Sequence, residues 1–187
     1  HAKNKEKHQH MFNRMKDAGC YQVCLGLETG NQHILDDVIL KNLDLDIVPQ
    51  VVESVMNAGI SCHLFLIVGF PGETIEEMQQ TVEFAKALEP DSCSLSLFTP
   101  IPGTPLFDFS KKNGYLVDDF SESRILFAKS NIKVPGFTPE EFEELVATWT
   151  QELNVSLLKR NPTKYFEKYG RHLGEDQSGV EIFRKHS

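Results

Sequence analysis

The chain has 187 residues, 40% of them hydrophobic, enough for one ordinary core and little more. Asp and Glu outnumber Lys and Arg by 27 to 19, and the net charge of −8 speaks against a basic face for nucleic acid or an anionic membrane. No window nears the roughly eighteen apolar residues of a membrane span, and the first residues are polar rather than signal-like, so a cytoplasmic location and small-molecule partners are expected.

Residues 1–19 are polar and suited to a helix, with Met11, Phe12 and Met15 spaced for one apolar face and Gly19 placed to stop it. From Tyr21 to Leu27 a short apolar run between glycines predicts a buried strand. Asp46 is an N-cap candidate for the next helix, with Pro49 in its first turn and Val48, Val52, Val55 and Met56 recurring at helical spacing. "GISCHLFLIVGFPG" predicts a second buried strand. Thr74-Ile-Glu-Glu77 then forms a capping box, and Ile75, Met78, Val82, Ala85 and Leu88 line the helix it opens. "DSCSLSLFTP" supplies the third strand.

Strands beginning near residues 21, 61 and 92, with helices between them, follow the rhythm of βα units, whose crossovers make the strands parallel. Three units cannot close an eight-stranded barrel, which needs about 250 residues. The expected fold is therefore an open parallel α/β sheet, cut from a larger one. From Asp118 the alternation ends. Thr138-Pro-Glu-Glu141 is a second capping box, and Phe142, Leu145, Val146, Trp149, Leu153 and Leu157 form a helical stripe, read as a long helix packed on the sheet. The tail "GEDQSGVEIFRKHS" is expected to be loosely ordered.

Cys20, Cys24, Cys62 and Cys93 lie in apolar or strand-like contexts without the paired spacing of disulfide scaffolds, so free buried thiols are expected. His8 and His10 stand two apart on a predicted helix and do not share a face. His33 and His63 lack partner spacing for zinc or for a nucleophile dyad.

Ligands of parallel α/β sheets bind at the C-terminal ends of the strands. Those ends here are "LETGN", "VGFPGET" and "FTPIPGTP", rich in residues that let backbone approach a ligand. Together with "MKDAGCYQVCLGLETGNQHILDDVILK" and "AGISCHLFLIVGFPGETIEEMQQTVEFAKALEPD", "SLSLFTPIPGTPLFD" resembles the C-terminal half of a radical S-adenosylmethionine (SAM) domain, most like enzymes that also carry a cobalamin-binding domain. The resemblance runs over residues 11–120. It implies the C-terminal portion of a partial (β/α) TIM-type barrel, about three parallel βα units over residues 1–120, followed by a helical extension over 121–187.

The family's cofactors are S-adenosylmethionine and a [4Fe-4S] cluster that splits it to a 5′-deoxyadenosyl radical, with cobalamin in one branch. The family's cluster motif is Cys-x3-Cys-x2-Cys. Cys20 and Cys24 begin such a spacing, but Leu27 stands where the third cysteine belongs, so both are expected to be core residues and no metal ligand or catalytic residue is expected in this chain. The resemblance implies a fragment, inactive alone. Its partner is the N-terminal part of the parent, which carries the cluster ligands and any cobalamin domain.

The resemblance also assigns binding roles. Glu28 takes the ribose-binding position, where a carboxylate accepts vicinal hydroxyls, or is a solvent-facing loop carboxylate. Lys41 fits the cation for the methionyl carboxylate, or is an exposed helix-flanking lysine. Ile67 and Gly69 match the third and fifth positions of the adenine-contacting Gly-x-Ile-x-Gly-x-x-Glu motif, whereas Phe65 replaces its first glycine and one residue is added before Glu73. Backbone around Gly69 and Phe70 is thus the expected adenine contact. Glu73 is read either as the motif's glutamate or as charge near a helix N-terminus. Pro100 braces a lip over adenine or substrate, or belongs to a plain strand-to-helix turn. Two other functions fit the pattern: a methylthiotransferase-like radical enzyme without cobalamin, and a noncatalytic α/β interaction module.

Overall fold

The computed structural model describes residues 2–121 and 129–160; the polar tail lies outside the described residues. Three strands, β1 (Gln22–Glu28), β2 (Ser61–Val68) and β3 (Ser92–Leu97), form one parallel sheet in the order β1-β2-β3. Helices α1 (Ala2–Asp17), α2 (Val48–Asn57), α3 (Ile75–Leu88), α4 (Pro105–Lys112) and α5 (Pro139–Arg160) complete it, with a π-helical segment at Ile34–Ile39 and a 3-10 turn at Leu45–Ile47. The sheet is the expected partial (β/α) barrel. Among the described residues no helix is long and apolar enough to cross a membrane.

The register sorts the strands into two faces. Val23 and Leu25 align with Cys62 and Leu64, and Leu64, Leu66 and Val68 with Cys93, Leu95 and Leu97. These side chains form one core with Val52 and Val55 of α2, Met78, Val82 and Ala85 of α3, and Phe142, Val146, Trp149 and Leu153 of α5. The opposite face carries Cys24 and Gly26, then His63, Phe65 and Ile67, then Ser92, Ser94 and Ser96. His63 hydrogen-bonds Ser92 Oγ at 2.7 Å and Ser94 Oγ at 3.1 Å on that face.

This corrects the expectation of strands buried on both sides. Helices cover one face, and on the other Cys24 and Phe65 are exposed. Cys24 is therefore not a core residue, and Cys20 is only half-buried; Cys62 and Cys93 are the buried thiols.

The capping boxes form as their spacing predicts. Thr74 accepts from the Glu77 amide while Glu77 accepts from the Thr74 amide, and Thr138 and Glu141 do the same. Two local expectations change. Asp44, not Asp46, is the cap: its carboxylate accepts from the Asp46 amide, so a 3-10 turn precedes α2. Met11 is exposed although Phe12 is buried, because α1 lies chiefly against α2 and only a narrow stripe is covered. The sequence reading also lacked α4, which Thr104 caps and Pro105 opens.

Candidate functional site

Parallel strands bring the ends of β1, β2 and β3, and with them Glu28, Gly69 and Pro100, to one edge of the sheet. At the end of β1 the register shifts between Gly26 and Glu28, and Glu28 takes a left-handed backbone with φ of 70°. That conformation disfavours any residue with a Cβ. Gly26 makes room for it: a Cβ there would lie 2.8 Å from Glu28 Oε1. Lys41 follows the π-helical segment directly after left-handed Leu40, and its ammonium donates to the Gly26 carbonyl and, at 3.2 Å, to Glu28 Oε1. Both side chains are mostly covered, 34% and 26% exposed, so the pair is less screened than a surface pair.

The next two residues pin this end to α3. Thr29 Oγ1 and Thr81 Oγ1 share a fully buried hydrogen bond of 2.8 Å, and Thr81 Oγ1 accepts from the Gly30 amide. A Cβ at Gly30 would meet Phe84 Cβ at 2.7 Å and Thr81 Cα at 2.9 Å, so only glycine lets the helix approach this closely.

At the end of β2, Gly69 has φ of 82° and packs under Phe142 of α5. The Gly69 and Phe70 amides donate to Glu73 Oε2 at 2.7 and 2.9 Å. Of the backbone groups read from the sequence as the adenine contact, these two amides are turned inward to a side chain. The Phe70 ring is buried beside Phe98, centroids 5.2 Å apart, and Ile67 packs on the same cluster. What Ile67, Gly69 and Phe70 present at this edge is an apolar floor and a fixed turn. Burial pushes the Glu73 carboxyl from 4.5 up to about 8; the two amides oppose the shift and the charge of Glu77 adds to it.

After β3, Pro100 is buried in the turn that leads into α4. Between the π-helical segment and this turn lies a cavity of about 570 Å³, walled by Val38, Ile39, Leu40, Phe98, Ile101 and Phe109. Thr99 Oγ1 is buried without a hydrogen-bond partner beside it. The sequence reading missed this wall, because "ILDDVIL" has no regular period and α4 was not read as a helix. The signal available was the Thr104-Pro105 pair, a cap followed by a first-turn proline.

Among the described residues no group of three or more His, Cys, Asp or Glu side chains could hold a metal. Cys20 precedes β1 and Cys24 lies in its middle, away from the Glu28 end.

A profile of the radical SAM superfamily matches residues 4–85. The chain is 30% identical over 154 residues to the cytidylyl-2-hydroxyethylphosphonate methyltransferase of Streptomyces wedmorensis, covering 79% of this chain and 29% of that protein. It is 30% identical over 132 residues to an uncharacterized methyltransferase of Pyrococcus horikoshii, covering 71% of this chain and 28% of the relative. It is 31% identical over 99 residues to the tRNA-2-methylthio-N(6)-dimethylallyladenosine synthase of Clostridium tetani, covering 51% and 21%. The matched stretch is thus less than a third of the length of each of these relatives.

Proposed function

The chain belongs to the radical SAM superfamily, and from that premise we propose that the C-terminal edge of its sheet holds the adenosyl portion of S-adenosylmethionine in a methyl- or methylthio-transferring enzyme. The observation that carries this reading is the Glu28–Lys41 pair at the end of β1, with Lys41 adjoining Leu40 of the apolar cavity.

The residues fit that ligand. A carboxylate accepts the two ribose hydroxyls, the ammonium beside it meets the methionyl carboxylate, and a mostly apolar cavity within the size range of ligand pockets takes the base. Ile67, Gly69 and Phe70 form the floor beneath the nucleoside, and Pro100 braces the turn above it.

Superfamily membership implies a [4Fe-4S] cluster, which supplies the reducing electron. The described residues offer no three-ligand set for it. We therefore place its ligands outside this chain, read the chain alone as inactive, and assign no residue here to electron transfer. Cobalamin would serve only the methyl-transfer branch, from a domain likewise outside this chain.

The methylthiotransferase reading rests on relatives named for that activity. The charge of −8 favours the other branch, with a small-molecule substrate in a cytoplasmic enzyme, because a tRNA phosphate backbone calls for a basic surface. The test is an NMR titration of the 187-residue chain with adenosine. Shifts at Glu28, Leu40, Lys41 and Phe98 support the reading, and shifts confined elsewhere, or none at millimolar adenosine, overturn it.

A further inference from the structure

The sheet face opposite the helices carries a hydrogen-bonded row that the nucleoside site does not use. His63 of β2 is 7% exposed, and its ring reaches across to β3, with Nδ1 at 2.7 Å from Ser92 Oγ and Nε2 at 3.1 Å from Ser94 Oγ. Both nitrogens are engaged, so the ring is fixed in place and in rotation. The three residues stand 29 and 31 positions apart, and the parallel register, which sets His63 beside Ser92 and Phe65 beside Ser94, brings them together. His63 thus has in the fold the serine neighbours that its sequence spacing does not show.

In a neutral imidazole one ring nitrogen donates and the other accepts. With the proton on Nδ1 and donated to Ser92 Oγ, the Nε2 lone pair faces the Ser94 hydroxyl. The row then has the order of an activated nucleophile: a hydroxyl, a base within reach of it, and a third group that orients the base. Ser92 is fully buried and Ser94 half-buried, so Ser94 is the most exposed member of the row.

Phe65 supplies an apolar seat next to it. Phe65 is the register partner of Ser94, is 46% exposed, and meets His63 edge-on with ring centroids 4.7 Å apart. A flat or aliphatic group laid on Phe65 therefore lies beside the Ser94 hydroxyl. Upstream of Glu28, the strand positions on this face carry no Asp, Glu, Lys or Arg, which suits a neutral molecule.

We propose that Ser94 is a nucleophile activated by His63, and that it takes the acyl group of a small uncharged ester seated on Phe65, a reactivity separate from radical chemistry. Ser94 Oγ bonds to the ester carbonyl carbon as its proton passes to His63 Nε2. The bond from that carbon to the leaving oxygen then breaks, and the departing alcohol takes the proton. Ser92 holds Nδ1–H throughout and is a positioning residue. The products are acyl-Ser94 and the free alcohol, so the step balances without a co-reactant.

The probe is p-nitrophenyl acetate, added to the full chain and read as release of p-nitrophenol and as the acetylated peptide in mass spectrometry. The acetyl group is expected on Ser94 and absent in Ser94→Ala. His63→Gln should slow the reaction about a hundredfold, the lower end of what a positioned general base supplies. Ser92→Ala should slow it by a smaller factor. Cys24→Ser, which removes the exposed thiol of the same face, should leave acetylation of Ser94 unchanged.

Acetyl groups confined to Cys24 or to lysines, or an unchanged rate at Ser94 in both His63→Gln and Ser92→Ala, overturn the proposal. So does an NMR spectrum of the ring nitrogens that puts the proton of neutral His63 on Nε2. Urea unfolding of each variant separates lost chemistry from a lost fold, and where His63→Gln does not fold, Ser92→Ala and the ring tautomer decide. Adenosine binding is read separately, so failure of this site leaves the nucleoside site standing.

Discussion

Lys41 Nζ lies 3.2 Å from Glu28 Oε1 and also donates to the Gly26 carbonyl, so one cation holds both the irregular end of β1 and its terminal carboxylate. The two side chains are therefore coupled before any ligand arrives.

That coupling shapes the first prediction. Glu28→Ala removes charge-assisted hydrogen bonds to the ribose worth about 1.5–3 kcal/mol, a loss of roughly tenfold to a hundredfold in affinity for both adenosine and S-adenosylmethionine. Lys41→Ala should weaken S-adenosylmethionine and leave adenosine within about twofold, a difference of under about 0.5 kcal/mol. Calorimetric titration of both ligands against both variants checks this. Equal losses for the two ligands in Lys41→Ala would mean that Lys41 only positions Glu28.

Glu28 also carries a backbone cost, with φ of 70°. Glu28→Gly relieves it and Glu28→Ala does not, so the glycine variant should be the more stable of the two by about 1 kcal/mol, even though both lose the carboxylate. Urea unfolding of the pair measures the difference. A more stable alanine variant would mean that the β1 end relaxes to another conformation.

The Glu73 carboxyl is raised from 4.5 to about 8, so folding takes up a proton between those values and stability falls as pH rises through that window. Glu73→Gln has no such proton to lose. Its unfolding free energy relative to the unsubstituted chain, from urea titrations, should be higher at about pH 8.5 than at about pH 5, by an amount on the scale of a few kcal/mol. A gap constant across pH would place the Glu73 carboxylate in water.

The buried Thr29–Thr81 pair makes a separate test of how β1 is pinned to α3. Thr81→Val keeps the shape but leaves the Gly30 amide without its acceptor and the Thr29 hydroxyl with the Asn31 amide alone, at a cost of about 1–3 kcal/mol. Gly30→Ala meets the α3 backbone and should cost about 1–3 kcal/mol by overpacking. Denaturant midpoints report both.

Thiol chemistry tests the open face of the sheet. Cys24 is exposed, Cys20 half-buried, and Cys62 and Cys93 buried. Iodoacetamide under native conditions should label Cys24 first and reach Cys62 and Cys93 only after unfolding, as read by peptide mass spectrometry. Protection of Cys24 equal to that of Cys62 would mean that the face is covered in solution.

The sequence carried the architecture because its signals were local. Capping boxes at Thr74 and Thr138 and apolar stripes such as Met78, Val82 and Ala85 each depend on residues within a few turns. The two faces of β2 were not legible. Phe65 and Ile67 are as apolar as Leu64, Leu66 and Val68, and His63 alone departs from the run, so no sustained alternation showed which set the helices cover. Glu28 and Lys41 could be named from the family pattern, but their ion pair spans thirteen residues through a π-helical segment without periodicity. The fate of the Gly69 and Phe70 amides turned on the burial of Glu73, and a glutamate ahead of a helix reads as a solvated charge until tertiary structure covers it.

Phe142 of α5 closes over Gly69, approaching to 3.0 Å the point where a side chain would start. The two are 73 positions apart, so during synthesis the turn after β2 leaves the ribosome long before its cover exists. The βα rhythm up to β3 can assemble in order as it emerges, and the turn has its own bonds to Glu73, but its apolar cover arrives only when α5 docks. A chain halted before α5 would carry all three strands and a β2–α3 loop that lacks its Phe142 cover.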